Sequence, residues 1–138
     1  MSTGAVSVRR AHTDDIAGVL AIDHIDGRAD EIRHAIQRGR CLIAEDGAGI
    51  VGFCVDGRLF AFAFLELLAV APSHRRRGVG TSLVKAWEAS AATTKVFTST
   101  NESNIPMRRL CEALGYVRTG LIENLDEGDP EFFYFKRL

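Results

Sequence analysis

The chain has 138 residues and a mass of 15.1 kDa, with 46% hydrophobic and 25% charged residues; this is the balance of a globular domain able to build a core without disulfides or a structural metal. Seventeen Lys and Arg against eighteen Asp and Glu give a net charge of −1, which argues against a general nucleic-acid binder. Three widely spaced cysteines (Cys41, Cys54, Cys111) suggest neither a disulfide framework nor a zinc site, and neither a membrane span nor a signal peptide is legible, so one reduced, cytoplasmic domain over 1–138 is expected.

Val6 to Arg9 alternates apolar and polar residues, as a half-buried strand does. Thr13-Asp14-Asp15 then offers a cap and an acidic first turn to a helix carrying Ile16, Val19 and Leu20. A second short helix is predicted over Asp30 to Arg38, with Ile32 and Ile36 on one face and Gly39 as its stop. Strand signals resume at Cys41 to Ala44, and Asp46-Gly47 turns the chain into Ile50 to Val55. Asp56-Gly57 predicts a second hairpin turn, leading into a long strand from Leu59 to Val70. After Pro72 the period becomes helical, with Val79, Leu83, Ala86, Trp87 and Ala91 in one stripe. Lys95 to Thr100 reads as a strand and Ile105 to Leu114 as a helix, with Pro106 in its first turn and Gly115 past its end. Tyr116 to Glu123 and Phe132 to Lys136 close the chain as two strands. The order β-α-α-β-β-β-α-β-α-β-β is that of a mixed α/β domain.

The chemistry is concentrated where the long strand gives way to the third helix. There Arg75, Arg76 and Arg77 precede Gly78, Val79, Gly80 and Thr81. Glycines let a ligand approach the backbone closely, and the unpaired N–H groups of a helix's first turn favour an anion. The pattern is neither a Walker A loop nor a full dinucleotide fingerprint. A tight turn with solvated arginines is the alternative reading; three arginines before the glycines and a helix after them favour a pyrophosphate cradle.

Arg75 to Gly80 resembles the R/Q-x-x-G-x-G/A motif of the GNAT N-acetyltransferases, which move an acetyl group from acetyl-CoA to an amine. The run from Asn104 to Gly115-Tyr116 resembles the family's second motif, a helix opened by Asn and closed by a Gly-Phe pair. The resemblance covers nearly the whole chain. It implies a mostly antiparallel central sheet of about seven strands flanked by helices. It also implies that the main chain of Leu68, Ala69 and Val70 lines the acyl-pantetheine arm. Arg75, Arg76, Arg77, Gly78, Val79, Gly80 and Thr81 would hold the pyrophosphate, and Asn104 would contact the pantetheine or nearby backbone. Acetyl-CoA is the implied co-substrate, no metal is implied, and a homodimer is plausible by analogy.

One departure concerns the acid. Many relatives carry a Tyr four residues before the Gly of the second motif, able to protonate the leaving thiolate. Here that position is Cys111, with a shorter side chain and an ordinary thiol pKa of ~8.5 against ~10 for a phenol. Cys111 is a candidate catalytic group or, with more weight, a small buried hydrophobe; Tyr116 reads as a core aromatic. Glu66 interrupts an otherwise apolar strand, at a cost unless it meets water, a partner or substrate. It reads either as an edge carboxylate paired with an arginine or as the general base that accepts the amine's proton. Acids at Glu123, Asp126, Glu127, Asp129 and Glu131, and at Asp23, Asp26, Asp30 and Glu31 beside His24, suggest a cationic acceptor, or solvated loops. The histidines (His12, His24, His34, His74) show no ligand spacing.

The sequence therefore predicts an acetyl-CoA-dependent N-acetyltransferase acting on a small-molecule or peptide amine, with neither nucleic acid nor membrane as partner. A non-catalytic acyl-CoA sensor is the alternative.

Overall fold

The computed structural model describes residues 5–22 and 27–138. Its elements are β1 (Ser7–Arg10), α1 (Ile16–Leu20), α2 (Ala29–Gln37), β2 (Cys41–Asp46), β3 (Gly49–Leu59), β4 (Phe62–Val70), α3 (Val79–Ser90), β5 (Lys95–Asn101), α4 (Ile105–Ala113), β6 (Val117–Ile122) and β7 (Glu131–Arg137). The seven strands form one sheet in the order β1-β2-β3-β4-β5-β7-β6. β4 and β5 run parallel, whereas β1–β2, β2–β3, β5–β7 and β6–β7 are antiparallel. This is the mostly antiparallel α/β architecture the sequence predicts. The chain forms two compact units: Met1–Asp56 with Leu67–Ser90, and Gly57–Glu66 with Ala91–Leu138.

In the first unit the apolar face of α2 (Ile32, Ala35, Ile36) joins Val19 of α1 and Cys41, Ile43, Phe53 and Val55 in one buried cluster, with Leu67 and Ala69 packed against it. Residues 53 and 55 face that cluster, so alternation turns Gly52 the other way. A Cβ there would lie 3.0 Å from the Ala69 carbonyl oxygen, 3.0 Å from Val79 Cγ1 and 3.1 Å from Leu83 Cδ1. Glycine is what lets α3 close on the sheet. Trp87 of α3 is 1% exposed and donates its indole N–H to Asp56 Oδ1 at 2.9 Å.

The expected helix start at Thr13 resolves into a 3-10 turn, Thr13–Asp15, before α1. Asp15 is occupied elsewhere: it accepts the His12 N–H at 2.8 Å and pairs with Arg9 at 2.9 Å, while Arg9 also reaches Glu45 at 2.7 Å. The Arg9 guanidinium, helped by the His12 N–H, holds the Asp15 carboxyl down at about 2.

The predicted turn at Asp56-Gly57 is overturned. β3 continues through both residues to Leu59, and the chain reverses at Phe60-Ala61, so β4 begins at Phe62 rather than Leu59. Asp56 is instead anchored by the Trp87 indole and by donation of its N–H to the Arg40 carbonyl at 2.8 Å. The reversal forces Phe60 to φ +54 and leaves it 92% exposed.

In the second unit β5 alternates strictly, with Val96, Thr98 and Thr100 buried. They share a face with Ala63 and Leu65 of β4 and with Phe132 and Tyr134 of β7, all buried. The β4–β5 ladder of this unit includes the pairs Ala63↔Val96, Phe64↔Phe97 and Leu65↔Thr98. Thr98 satisfies its buried hydroxyl by donating to the Leu65 carbonyl at 2.9 Å.

Candidate functional site

β4 ends in Leu68, Ala69 and Val70, all half-buried, and Ala71 donates its N–H to Val51 at 2.8 Å. A 3-10 turn, Pro72–His74, then redirects the chain. Arg76 at φ +64 and Gly78 at φ +80 follow, two left-handed positions within three residues, before α3 starts at Val79. Gly78 suits this backbone, whereas at Arg76 a side chain carries the strain. The first helical bond runs from Ser82 N–H to the Gly78 carbonyl at 3.0 Å. The N–H groups of Val79, Gly80 and Thr81 therefore have no acceptor within the helix, and the positive end of its dipole lies there. Arg75, Arg76 and Arg77 are exposed; Arg75 Nε donates to the Val70 carbonyl at 3.4 Å, tying the loop back to its strand.

A second device fixes this loop and was not legible in the sequence. His74 Nε2 lies 2.9 Å from Asp46 Oδ2, and its Nδ1 lies 2.8 Å from Ser73 Oγ. Asp46 closes its own turn by accepting the Ala48 N–H at 2.8 Å through its other oxygen. The Ala48 N–H first and His74 second hold the Asp46 carboxyl below its usual range. The 28-residue separation of Asp46 and His74 hid this pairing.

Glu66, Asn104 and Cys111 belong to the second unit, whereas Leu68 to Val70 and Arg75 to Thr81 belong to the first. Glu66 is exposed, and its side chain lies across Gly57, where a Cβ would come within 3.2 Å of the carboxylate. Exposure to water removes the cost expected of a carboxylate in an apolar strand. Asn104 caps α4: its side-chain oxygen accepts the Met107 N–H at 3.3 Å. Cys111 is 2% exposed, and burial, reinforced by Glu112, pushes its thiol up to about 12. A thiol so placed stays neutral and packs. Tyr116 is 5% exposed, as a core aromatic should be. Sequence reasoning singled out nothing at Tyr134, yet its hydroxyl is buried with no hydrogen-bond partner among the described residues, a state that buried phenols rarely tolerate.

Three of the acids near the last strand are held in hydrogen bonds. Asn101 Nδ2 donates to Asp126 at 2.9 Å, Ser103 donates to Asp129 through both its N–H (3.1 Å) and its Oγ (2.5 Å), and Ser99 Oγ donates to Glu131 at 2.7 Å. Asp30 pairs with Arg33 on α2 and Glu31 with Arg28 at the helix's N-cap, and Asp23, His24 and Asp26 lie outside the described residues. Among the described residues no group of three His, Cys, Asp or Glu could hold a metal ion, and no helix is long and apolar enough to cross a membrane.

Residues 37–118 match the family described as an acetyltransferase (GNAT) domain. A curated mycothiol acetyltransferase from Parafrankia sp. is 35% identical over 82 residues, 55% of this chain and 25% of that protein; the chain thus spans about a quarter of the relative's length. A GNAT-family acetyltransferase from Bacillus cereus is similar throughout, with 40% identity, a TM-score of 0.92, and coverage of 97% of this chain and 98% of that one. The Salmonella typhimurium protein yncA, solved with its cofactor acetyl-CoA, shares the fold at 18% identity, with a TM-score of 0.79 and coverage of 98% and 95%.

Proposed function

Because this chain belongs to the GNAT acetyltransferase family, we propose that it binds acetyl-CoA and transfers the acetyl group to a primary amine by direct attack on the thioester. The observation that carries the reading is the passage from β4 through Arg76 and Gly78 into α3, which leaves three helix N–H groups without helical partners. These groups and the three arginines offer the pyrophosphate both hydrogen bonds and charge. The acetyl-CoA complex of the Salmonella typhimurium protein, on the same fold, supports the choice of ligand.

In this reading the main chain of Leu68, Ala69 and Val70 lies along the pantetheine, and a backbone N–H there stabilises the oxyanion. Glu66, exposed to water, takes a proton from the ammonium directly or through water, freeing the nitrogen lone pair. The new C–N bond forms, the C–S bond breaks, and the thiolate is protonated by water. Cys111 is a packing residue here, since it is buried and burial, by pushing its thiol up to about 12, makes it a weak acid toward the leaving thiolate. Asn104 can still offer its amide N–H to the pantetheine while its oxygen caps α4.

The test pairs two variants in a titration with CoA and an assay of thiol release. Gly80→Val places bulk where the pyrophosphate approaches and should weaken CoA binding at least ten-fold in a protein that still folds. Glu66→Gln should bind CoA normally and lose about 10²-fold or more in turnover. Unchanged CoA affinity in Gly80→Val would overturn the cofactor site, and unchanged turnover in Glu66→Gln would overturn the base.

A further inference from the structure

Five of the chain's eight phenylalanines lie on one face of the second unit's sheet: Phe62 and Phe64 on β4, Phe97 on β5, Phe133 and Phe135 on β7. Ring centroids are 5.6 Å apart for Phe62–Phe97 and 6.1 Å apart for both Phe64–Phe133 and Phe97–Phe135. All five are only half-buried, whereas the residues between them, Ala63, Leu65, Val96, Phe132 and Tyr134, are fully buried on the opposite face. Five phenylalanines thus line the wetter side of the sheet, where large apolar side chains are not ordinarily gathered. The β6 register extends this surface through Val117, beside Phe135, and Ile122, beside Glu131; these two are 59% and 45% exposed.

The face is electrically polarised along the strands. Lys95 sits at one end, its Nζ 5.4 Å from the Phe62 ring. Carboxylates sit at the other: Glu131, held by Ser99, and Glu66, two residues beyond Phe64 on β4. Two residues of strand span ~7 Å, comparable with the reach from a nitrogen to the far side of a ring across a two-carbon link. An occupant with an ammonium beside an apolar ring matches both features, with the cation toward Glu66 and the ring among Phe64, Phe97 and Phe133.

We infer that the acceptor is an amine bearing an aromatic group close to its nitrogen, and that Phe64, Phe97 and Phe133 determine this specificity. The inference rests on the acetyl-transfer reading for its chemistry, but the aromatic site binds independently of turnover. The probe is 2-phenylethylamine, compared with spermidine and ethylamine. Binding is followed by NMR of the phenylalanine rings with CoA present, and turnover by thiol release.

The expected result is that 2-phenylethylamine shifts the Phe64, Phe97 and Phe133 signals and exceeds both comparators at least ten-fold in kcat/KM. Phe133→Ser should raise its KM about ten-fold or more, Phe133→Leu much less, and the affinity for CoA should hold in both. Ring shifts without acetyl transfer would uphold the aromatic site while refuting the transfer reading. Preference for spermidine, absence of ring shifts, or a dimer that Phe133→Ser dissociates while 2-phenylethylamine fails to bind would each overturn the inference. Loss of CoA affinity in both Phe133 variants would overturn it too, by showing a general structural role.

Discussion

Gly52→Ala is a small change that should disturb both the core and the proposed cofactor segments. The added methyl would sit at 3.0–3.1 Å from three atoms where ordinary contact begins at 3.4 Å, so about 0.3–0.4 Å must be found in three directions together. The Ala69 oxygen is backbone in β4, and Val79 and Leu83 are 2% and 0% exposed, so none of the three can swing away. Overpacking of this kind costs about 1–3 kcal/mol, or roughly 3–10 °C in Tm for a chain of this size. Relief must come from separating α3 from β3 or moving β4, and in the proposed site Val79 and Ala69 are among the residues that meet acetyl-CoA. Thermal unfolding and CoA titration should therefore both deteriorate. Gly47→Ala is the control, since nothing lies within 4 Å of a Cβ there. Replacing a strand glycine otherwise stabilises by ~0.5–1 kcal/mol, so an unchanged or raised Tm in Gly52→Ala would refute the packing argument.

Three further outcomes follow from the geometry. Asp46→Asn keeps an oxygen for the Ala48 N–H but removes the charge facing His74, and should weaken CoA binding a few-fold with little change in Tm; equal affinity across the pair would show that the Asp46–His74 contact does not position the loop. Asp15 has a folded-state pKa of about 2, below its ordinary 3.8, so its contribution is present above pH ~4 and lost as pH falls through 2. That contribution is about 1 kcal/mol, because solvent reaches Arg9. Denaturant unfolding of Asp15→Asn should thus differ from wild type at pH 7 and converge toward pH 2, and a gap independent of pH would contradict the ion pair. Tyr134→Phe removes a buried hydroxyl with no partner among the described residues, so the unliganded protein should hold or raise its Tm; a fall of several degrees would mean that the phenol is satisfied after all.

The order of elements was legible because period is local: strict alternation marks β5, and Ile32 and Ile36, one turn apart, mark α2. What failed was decided at long range. Asp56-Gly57 has turn chemistry, but Trp87, 31 residues later, takes the Asp56 carboxylate and keeps the segment in β3. In the sequence Gly78 suggests a place for close approach of a ligand to the backbone; the left-handed conformation of Arg76 had no signal, since nothing in its side chain favours one. The loop and helix from Arg75 to Thr81, the proposed cofactor segment, were readable, whereas the His74–Asp46 tie joins residues with no sequence relation. Glu66 offered two readings in the sequence, a paired edge carboxylate or a general base, and the spacing of aromatics on β4 and β7 gave no sign that the two sets share a face.

The second unit is discontinuous in the chain, and this bears on its biosynthesis. When a nascent chain has emerged only as far as Ser90, every segment of the first unit is present, yet Gly57–Glu66 has none of the partners it will use in its own unit. That stretch includes Leu59 to Leu65, seven residues without a charge, rich in phenylalanine and β-prone. Such a segment left uncovered is an aggregation hazard. It stays so until β5 arrives to pair with Ala63–Leu65 and β7 follows to bring Phe133 against Phe64. Chains truncated between Ser90 and Glu131 should therefore be the ones that precipitate or engage chaperones, even though the segment responsible lies far upstream of the break.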